Sequence, residues 1–371
     1  MWGKISSRQL LFMVSLSRIS IVVVSLPVIT VTKVLQDAWI AAIVATAISL
    51  LLGTLLGSLM MRFPKRSFAE ISRDSLGLFL GIPTGLLVSL LFCFIALLRT
   101  RELAFLLMTS ALPEAPDSVV AITAWLVAAY GAYLGPDAMG RSAEFLFTLV
   151  GLSIITGFIL LFMSPVRPDI FFLEPILARG ILPVIHASAN PIFWFLMSSG
   201  LALGLGKYCV DPPRIRRAVN GALLISGITL VVLSVTVLIY MGPYQAKDQF
   251  SPLLSLAHIA FVAGIVERLD IVVATLWMLG VVFDVTVLLL VASIMLADAL
   301  GTRPKSAVLV LFAAGLVPLA FRLGDPFQLR KVLEPVPTTL ATVALSGLIG
   351  LVFLVSVIRG IGRGRGRLKN G

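Results

Sequence analysis

The chain has 371 residues, of which 59% are hydrophobic and 13% are charged, and its formal net charge at pH 7 is +11. A soluble globular domain has about 25% charged residues, so this composition excludes a protein folded around one water-exposed core and predicts an all-α integral membrane protein. The positive charge favours anionic lipid head groups over nucleic acid as a partner.

Ten apolar stretches have the length of about 20 residues that a helix needs to cross a bilayer. Together with short loops they account for nearly the whole chain and leave no room for a soluble catalytic domain. Their approximate bounds are 8–32, 38–61, 83–108, 118–136, 143–164, 184–206, 218–241, 270–298, 305–322 and 337–358.

Two polar segments lie outside these spans. Residues 63–80 are amphipathic and contain Ser67 three residues before Glu70, a spacing typical of a capping box. This pattern predicts a short helix on the cytoplasmic face. Residues 359–371 alternate glycine and arginine and indicate a basic cytoplasmic tail that binds lipid head groups.

The distribution of charge and the number of spans predict the topology. Basic residues are concentrated in alternate loops and in the tail, which places both termini in the cytoplasm. Ten spans form two sets of five, and an odd number per set gives the sets opposite orientations, as in inverted-repeat transporters. We therefore expect one membrane domain over residues 1–371, with a first repeat at about 5–164 and a second at about 184–358. The first helix of each repeat should be interrupted near mid-membrane, where freed backbone groups bind substrate.

Charged residues inside spans are costly and mark functional candidates. Arg18 lies near the middle of the first span, flanked by Ser15, Ser17 and Ser20, whose hydroxyls can satisfy backbone groups freed by a helix break. Asp284 lies near the centre of the eighth span, which neighbours the first span in the five-plus-five fold. We expect Arg18 and Asp284 to form a buried ion pair, with the guanidinium in the place of a coupling cation. The alternative is an arginine that meets water and a protonated acid.

A second charged group lies on the third span. Arg99 and Glu102 are three residues apart, share a helix face and are expected to pair. Their position towards the outer end of the span favours a structural role, because a long side chain there reaches the interface at low cost.

No pattern in the sequence indicates covalent chemistry. The sequence contains no Gly-rich phosphate loop, nucleophile elbow or metal-binding cluster. Its two cysteines, Cys93 and Cys209, lie on different segments and lack the spacing of metal ligands. We therefore predict that the chain is not an enzyme and has no metal site and no cofactor.

Several short motifs occur along the chain in a characteristic order and spacing: ISSRQL at 5–10, LP at 26–27, DAWI at 37–40, RFP at 62–64 with LG at 76–77, LPEAP at 112–116, and ERLD at 267–270 leading to Trp277. Together they resemble the B subunit of spore germinant receptors, the GerAB-type endospore germination permeases of the amino acid/polyamine/organocation transporter superfamily. The resemblance covers essentially residues 5–358 and implies a ten-helix LeuT-like permease fold. It also implies sensing of a small germinant, commonly an amino acid, in the spore inner membrane together with an A subunit and a lipoprotein C subunit.

The resemblance also implies a ligand pocket at the break of the first span, with contributions from the third, sixth and eighth spans. The matching positions are Ser17, Arg18, Ser20, Ile21, Val22, Ile95, Arg99, Leu196, Met197, Ser199, Asp284 and Leu288.

Two departures from the family pattern concern amino acid binding. Ser20 and Val22 stand where relatives have glycines, which let a ligand carboxylate approach the backbone. Residues 197–199 read Met-Ser-Ser where relatives often have Gly-x-Glu. Arg18 and Asp284 can compensate by binding a carboxylate and an ammonium group. Two other functions remain open: a proton-coupled amino acid transporter that uses Asp284, and a ligand-free scaffold subunit of the receptor.

Overall fold

The computed structural model describes residues 2–22, 26–110, 114–249, 255–256, 269–320 and 336–362, and these residues are almost entirely helical. The described part contains no β-strand, and its one isolated bridge joins Ile5 to Cys209. The predicted all-helical fold is therefore confirmed. Its α-helices are α1 (Ser7–Val22), α2 (Leu26–Val34), α3 (Ala38–Arg62), α4 (Phe68–Ser110), α5 (Asp117–Leu134), α6 (Pro136–Met163), α7 (Ile181–Gly200), α8 (Ala202–Leu205), α9 (Ile215–Lys247), α10 (Leu269–Leu300), α11 (Pro304–Ala320) and α12 (Val336–Ile358).

The length and composition of the helices fit a membrane protein. Among the described residues, eight helices are long and apolar enough to cross a bilayer. A shorter apolar helix, Pro304–Leu316, falls on the predicted ninth span. The end of that span, at 321–322, and the tail residues 363–371 lie outside the described residues. The multi-pass membrane architecture is confirmed, while the number of ten spans stays a prediction.

The two expected helix interruptions differ from each other. The first span is described as two helices, α1 and α2, as expected, and residues 23–25 between them lie outside the described part. The sixth span instead continues as α7 to Gly200. Pro191 lacks an N–H and removes one helical hydrogen bond within α7, and the bonding changes again at Leu201, which keeps right-handed helical dihedrals. Its expected mid-span interruption is therefore wrong. Residues 197–199 carry no glycine there, so the backbone stays helical.

The amphipathic segment before the third span forms the predicted short helix. Ser67 N donates to Glu70 Oε2 at 3.0 Å and Glu70 N donates to Ser67 Oγ at 3.4 Å, which confirms the capping box. The helix then breaks at Gly77, whose φ of 81° and ψ of 178° suit glycine almost alone. This break turns α4 from the amphipathic segment into the span that carries Arg99.

Helix packing is reciprocal between the two predicted sets of five spans, and the division into two repeats stays a prediction. The most extensive contact joins α4 and α10, which are the third helices of the two sets. The second helices, α3 and α9, pack against each other in the same way. The first helix of each set also contacts the fifth helix of its own set, as α1 with α6 and α7 with α12. In addition, α1 contacts both α10 and α7, so it lies between α7 and the α4–α10 pair.

Candidate functional site

Three of the most deeply buried charges of the described residues lie near the contact of α1, α4 and α10. Arg18, Arg99 and Asp284 are each only 1% exposed. A charge at such depth is stable only when other groups bond it, so the partners of these three side chains define the site.

Asp284 is bonded through both carboxylate oxygens. Ser17 Oγ donates to Asp284 Oδ1, and Arg99 Nε donates to Asp284 Oδ2 at 3.1 Å. Arg99 also donates from Nη1 to Glu102 and from Nη2 to Ser20 Oγ at 3.4 Å. The guanidinium of Arg99 therefore joins three helices, α1, α4 and α10, in one network.

This network corrects the expected partner of Asp284. Both Arg18 and Asp284 are described, yet their side chains form no ion pair, and Arg99 takes that place. The reason is packing: α10 lies along α4 more extensively than along α1, so the arginine of α4 reaches the carboxylate directly. The predicted pair of Arg99 with Glu102 is confirmed. Arg99 is packed inside the bundle and almost completely buried, while the position of the pair towards the outer end of the span stays a prediction.

Arg18 instead joins α1 to α7. Its Nη2 donates to the carbonyl oxygen of Trp194 and to Ser198 Oγ, the latter at 2.9 Å. Ser198 Oγ in turn donates to the same carbonyl at 3.2 Å. The guanidinium carbon lies 5.1 Å from the centroid of the Phe195 ring, within the range of a cation–π contact. Arg18 Nε and Nη1 have no hydrogen-bond partner among the described residues.

The C-terminal end of α1 is held by side chains that bond its carbonyl groups. Ser20 Oγ donates to the carbonyl oxygen of Ser17 at 2.9 Å, and Trp277 Nε1 donates to that of Ser20. The carbonyl of Ser20 is one of the last four of α1, which lack an intrahelical partner. Of the flanking serines, only Ser20 takes the expected backbone role, whereas Ser17 donates to Asp284 and Ser15 Oγ has no partner among the described residues.

The structure brings part of the predicted site together. Ser17, Ser20, Arg99 and Asp284 form one network, while Arg18 bonds α7. Ser199 donates only to the carbonyl of Leu196 on its own helix, at 2.9 Å. The side chain of Ile21 lies outside the described residues. The remaining predicted residues are buried in the hydrophobic core: Val22, Ile95, Leu196, Met197 and Leu288.

Sequence reasoning missed the α7 partners of Arg18. The Trp194 carbonyl is a backbone group and carries no sequence signal. The contacts of Arg18 with the Phe195 ring and the Ser198 hydroxyl could not be predicted, because the sequence does not show that α1 and α7 meet at Arg18. The four-residue spacing of Trp194 and Ser198 does place them on one helix face.

The site has an uneven distribution of charge. On the α4–α10 side, the guanidinium of Arg99 faces two carboxylates, Asp284 and Glu102. On the α7 side, Arg18 is bonded to neutral groups and has no carboxylate directly against it. The arrangement can therefore accept a negative charge beside Arg18, between α1 and α7.

A second ionic cluster lies at one end of the helix bundle. Lys207 Nζ donates to Glu70 Oε1 at 2.9 Å and to Asp298 Oδ1 at 2.7 Å. Arg73 Nη1 donates to the carbonyl oxygen of Asp298 at 3.1 Å. The cluster connects the end of the sixth span to the capping box of α4 and to the end of α10.

Comparison with known proteins identifies the family. A family model described as spore germination protein matches residues 4–323. Spore germination protein KB of Bacillus subtilis (strain 168) is 26% identical over 339 residues, 90% of each chain. Spore germination protein YndE of the same strain is 22% identical over 301 residues, 80% of each chain.

Solved structures show the same fold. One is Mhp1, a nucleobase-cation-symport-1 family transporter, in a closed conformation with bromovinylhydantoin bound. It matches with a TM-score of 0.69 at 14% identity, over 96% of this chain and 80% of that chain. The inward-facing conformation of Mhp1 matches with a TM-score of 0.60 at 14% identity, over 96% and 79%. This likeness confirms the predicted LeuT-like transporter fold, while the cytoplasmic location of the termini stays a prediction.

The matched family is one of permease-like membrane proteins, not a class of enzymes. The family model covers most of the chain, and the helices have the length and composition of membrane spans. The chain is therefore a multi-pass membrane protein that belongs to the spore germination protein family.

Proposed function

We propose that this chain is the membrane subunit of a spore germinant receptor. In this role it binds a small germinant within its transporter-like fold and thereby triggers germination. It lies in the inner membrane of the spore and works with an A subunit and a lipoprotein C subunit. Membership of the family and the curated relatives support this role.

The position of Arg18 between α1 and α7 is the observation that carries the proposal. Its guanidinium holds these two helices through bonds from one nitrogen, while Asp284 is held by α1 and α4. A ligand that bonds Arg18 competes with the α7 contacts and so changes how the first and sixth spans fit together. That change in packing is the signal that partner subunits can detect.

Germination of spores tests this function directly. Spores that carry Arg18→Ala or Asp284→Ala are expected to lose the response to nutrients, measured as the fall in optical density after an amino acid mixture is added. Immunoblots of the spore membrane must show unchanged amounts of this chain and of its partners. Arg141→Ala is the control, because Arg141 is exposed and pairs only with the neighbouring turn of its own helix. Normal germination in both site variants contradicts the proposal.

A transport function is the second candidate, because the similar solved structures are transporters. It predicts uptake of labelled amino acid by proteoliposomes that contain this chain alone, driven by a pH gradient. Asp284 is the acid named for proton coupling, yet both of its oxygens are bonded by Ser17 and Arg99. We therefore favour the receptor, for which uptake is absent although binding occurs.

A further inference from the structure

We infer that the site recognises its ligand through a carboxylate bound by Arg18 and does not require an amino group, so that 2-hydroxy acids are ligands as well as 2-amino acids. This inference rests on the proposed function, since it names the chemical class of the germinant. It differs from recognition of a zwitterion, in which a protein carboxylate must pair with the ligand ammonium.

The guanidinium of Arg18 is the group that can bind a ligand carboxylate. Arg18 is 1% exposed, and two of its three nitrogens, Nε and Nη1, have no partner among the described residues. Buried donors without partners are costly, and a guanidinium binds a carboxylate through two parallel N–H groups on one of its edges. Each such edge pairs Nη2 with either Nε or Nη1, so a bound carboxylate competes with the α7 acceptors that Nη2 now bonds.

The acidic side chains near Arg18 already have partners within the protein. Asp284 accepts from Ser17 through one oxygen and from Arg99 through the other. Glu102 is ion-paired with Arg99 as well. An ammonium group that approached either carboxylate would have to displace the guanidinium of Arg99, which is almost completely buried and joins three helices. Both carboxylates are therefore already bonded by groups of the protein.

A neutral acceptor lies one helical turn before the Trp194 carbonyl. Asn190 is 2% exposed, and its Oδ1 has no partner among the described residues. An amide oxygen accepts a hydrogen bond from a hydroxyl as readily as from an ammonium group. Asn190 lies four residues before Trp194 and therefore on the same face of α7. On this inference its oxygen accepts from the substituent at the 2-position of the ligand, whether hydroxyl or ammonium.

The surroundings indicate that the rest of the ligand is apolar. The Phe195 ring lies against the guanidinium of Arg18. Leu196 and Met197 follow it on α7, and both belong to the buried hydrophobic core. Burial of polar ligand groups among such side chains would leave them without hydrogen bonds. We therefore expect small carboxylic acids with aliphatic or aromatic side chains.

Matched ligand triplets test the inference. The full chain is purified in lipid nanodiscs, and its melting temperature is measured with an amino acid, the corresponding 2-hydroxy acid and the corresponding amino acid amide, for the side chains of alanine, valine, leucine and phenylalanine. A ligand that binds the folded state raises the melting temperature. In at least one triplet the amino acid and the hydroxy acid should stabilise the chain to a similar degree. The amide, which lacks the carboxylate, should not.

Variants identify Arg18 as the group responsible. Arg18→Gln should weaken apparent affinity by about 10- to 100-fold, the range expected for loss of a hydrogen bond to a charged group. Arg18→Lys, which keeps the charge, should retain part of the affinity. Arg101→Gln is the matched control: the Nε and Nη1 of Arg101 are likewise buried without a partner among the described residues, but its charge is paired with Asp117, so the ligand response should persist. The melting temperature without ligand shows whether each variant is folded.

Four results would overturn the inference. The amide could stabilise the chain as strongly as the amino acid, or the hydroxy acid could have no effect where the amino acid is active. The response of Arg18→Gln could be unchanged, or no carboxylate in the panel could raise the melting temperature. None of these decides the proposed receptor function, which fails separately if spores that lack the chain germinate normally. The two proposals are thus tested by independent measurements.

Discussion

Arg99 of α4 and Asp284 of α10 form an ion pair inside the helix bundle, with 3.1 Å between Arg99 Nε and Asp284 Oδ2. Both side chains are almost completely buried, and their helices make the most extensive contact in the described structure. Removal of one partner from a buried pair leaves an uncompensated charge, whereas replacement of both partners by apolar residues does not. Substitution of one member of the pair should therefore lower the stability of the fold more than substitution of both.

The first prediction concerns this pair. Arg99→Met should destabilise the chain by about 3–5 kcal/mol, because it leaves the buried Asp284 without its ion-pair partner. Asp284→Leu should cost less, because Arg99 keeps its ion pair with Glu102. The double variant should recover most of the loss caused by Arg99→Met. The remaining partner, Glu102, has a side chain that is 24% exposed and can be solvated after Arg99 is removed. Melting temperatures of the purified chain in detergent, analysed as a double-mutant cycle, measure the coupling.

A surface pair gives the control for this cycle. Arg141 and Asp137 lie one helical turn apart, and the side chain of Arg141 is 68% exposed. Arg141→Met should change stability by less than about 1 kcal/mol, because exposed pairs contribute little. Strictly additive losses in the Arg99 and Asp284 cycle would show that the two side chains do not interact.

The second prediction concerns the exchange of charges between α1 and α10. Arg18→Asp combined with Asp284→Arg should not restore a germinant response that either single variant loses. Arg18 bonds Trp194 and Ser198 rather than Asp284, so the exchange places an acid against a carbonyl oxygen and an arginine against Arg99. Germination assays of the three variants at equal chain abundance measure the result. Partial rescue by the exchange would place Arg18 and Asp284 in direct contact.

The third prediction separates two neighbouring serines of α7. Ser198→Ala removes a hydroxyl that Arg18 bonds at 2.9 Å, and the germinant concentration for half-maximal response should change by about 5- to 10-fold, as for one lost hydrogen bond. Ser199→Ala is the matched control, because its hydroxyl bonds only the Leu196 carbonyl on its own helix. A larger effect at Ser199 than at Ser198 would contradict the described orientation of α7.

The features that could be predicted from the sequence depend on local patterns. Apolar length predicted the helical membrane fold, and the Ser67–Glu70 spacing predicted the capping box before the third span. The burial cost of charge identified Arg18 and Asp284 as site candidates. Each of these conclusions needs only residues that are close in the sequence.

The partners of the charges could not be predicted in the same way, because they depend on which helices touch at a given depth. Either Arg18 or Arg99 could have been the ion-pair partner of Asp284. The pair forms with Arg99 because α10 packs along α4. The Trp194 carbonyl is invisible in a sequence because every residue has such a group. The unbroken course of α7 to Gly200 likewise reflects the absence of a glycine at 197–199.

The fourth prediction concerns the cluster around Lys207. Lys207→Ala should lower the melting temperature, because Glu70 and Asp298 then face each other without the ammonium group that bonds both. Addition of Asp298→Asn to this variant should recover part of the loss, because it removes the repulsion between the two carboxylates. Asp298→Asn in the parent chain should instead destabilise, because Lys207 then loses one of its two ion pairs. Loss of stability in the double variant equal to the sum of the single losses would contradict the cluster.

The fifth prediction concerns the break in α4. Gly77 has a φ of 81° and a ψ of 178°, and a Cβ atom added there would meet no atom within 4 Å. Gly77→Ala should therefore destabilise the chain by about 1–3 kcal/mol through backbone strain alone. Gly151 in α6 is the matched control, because its added Cβ also meets no atom within 4 Å but no positive φ is present. There alanine should be neutral or stabilise by up to about 1 kcal/mol, since it is the better helix former.

The comparison of these two alanine variants separates strain from packing. Steric contact is absent at both positions, so the difference between their melting temperatures measures only the backbone conformation. Equal effects would mean that α4 runs straight through Gly77. The amphipathic helix would then not turn at this residue, and the bonds from its capping box and from Arg73 to the end of α10 would have to be made with a different geometry.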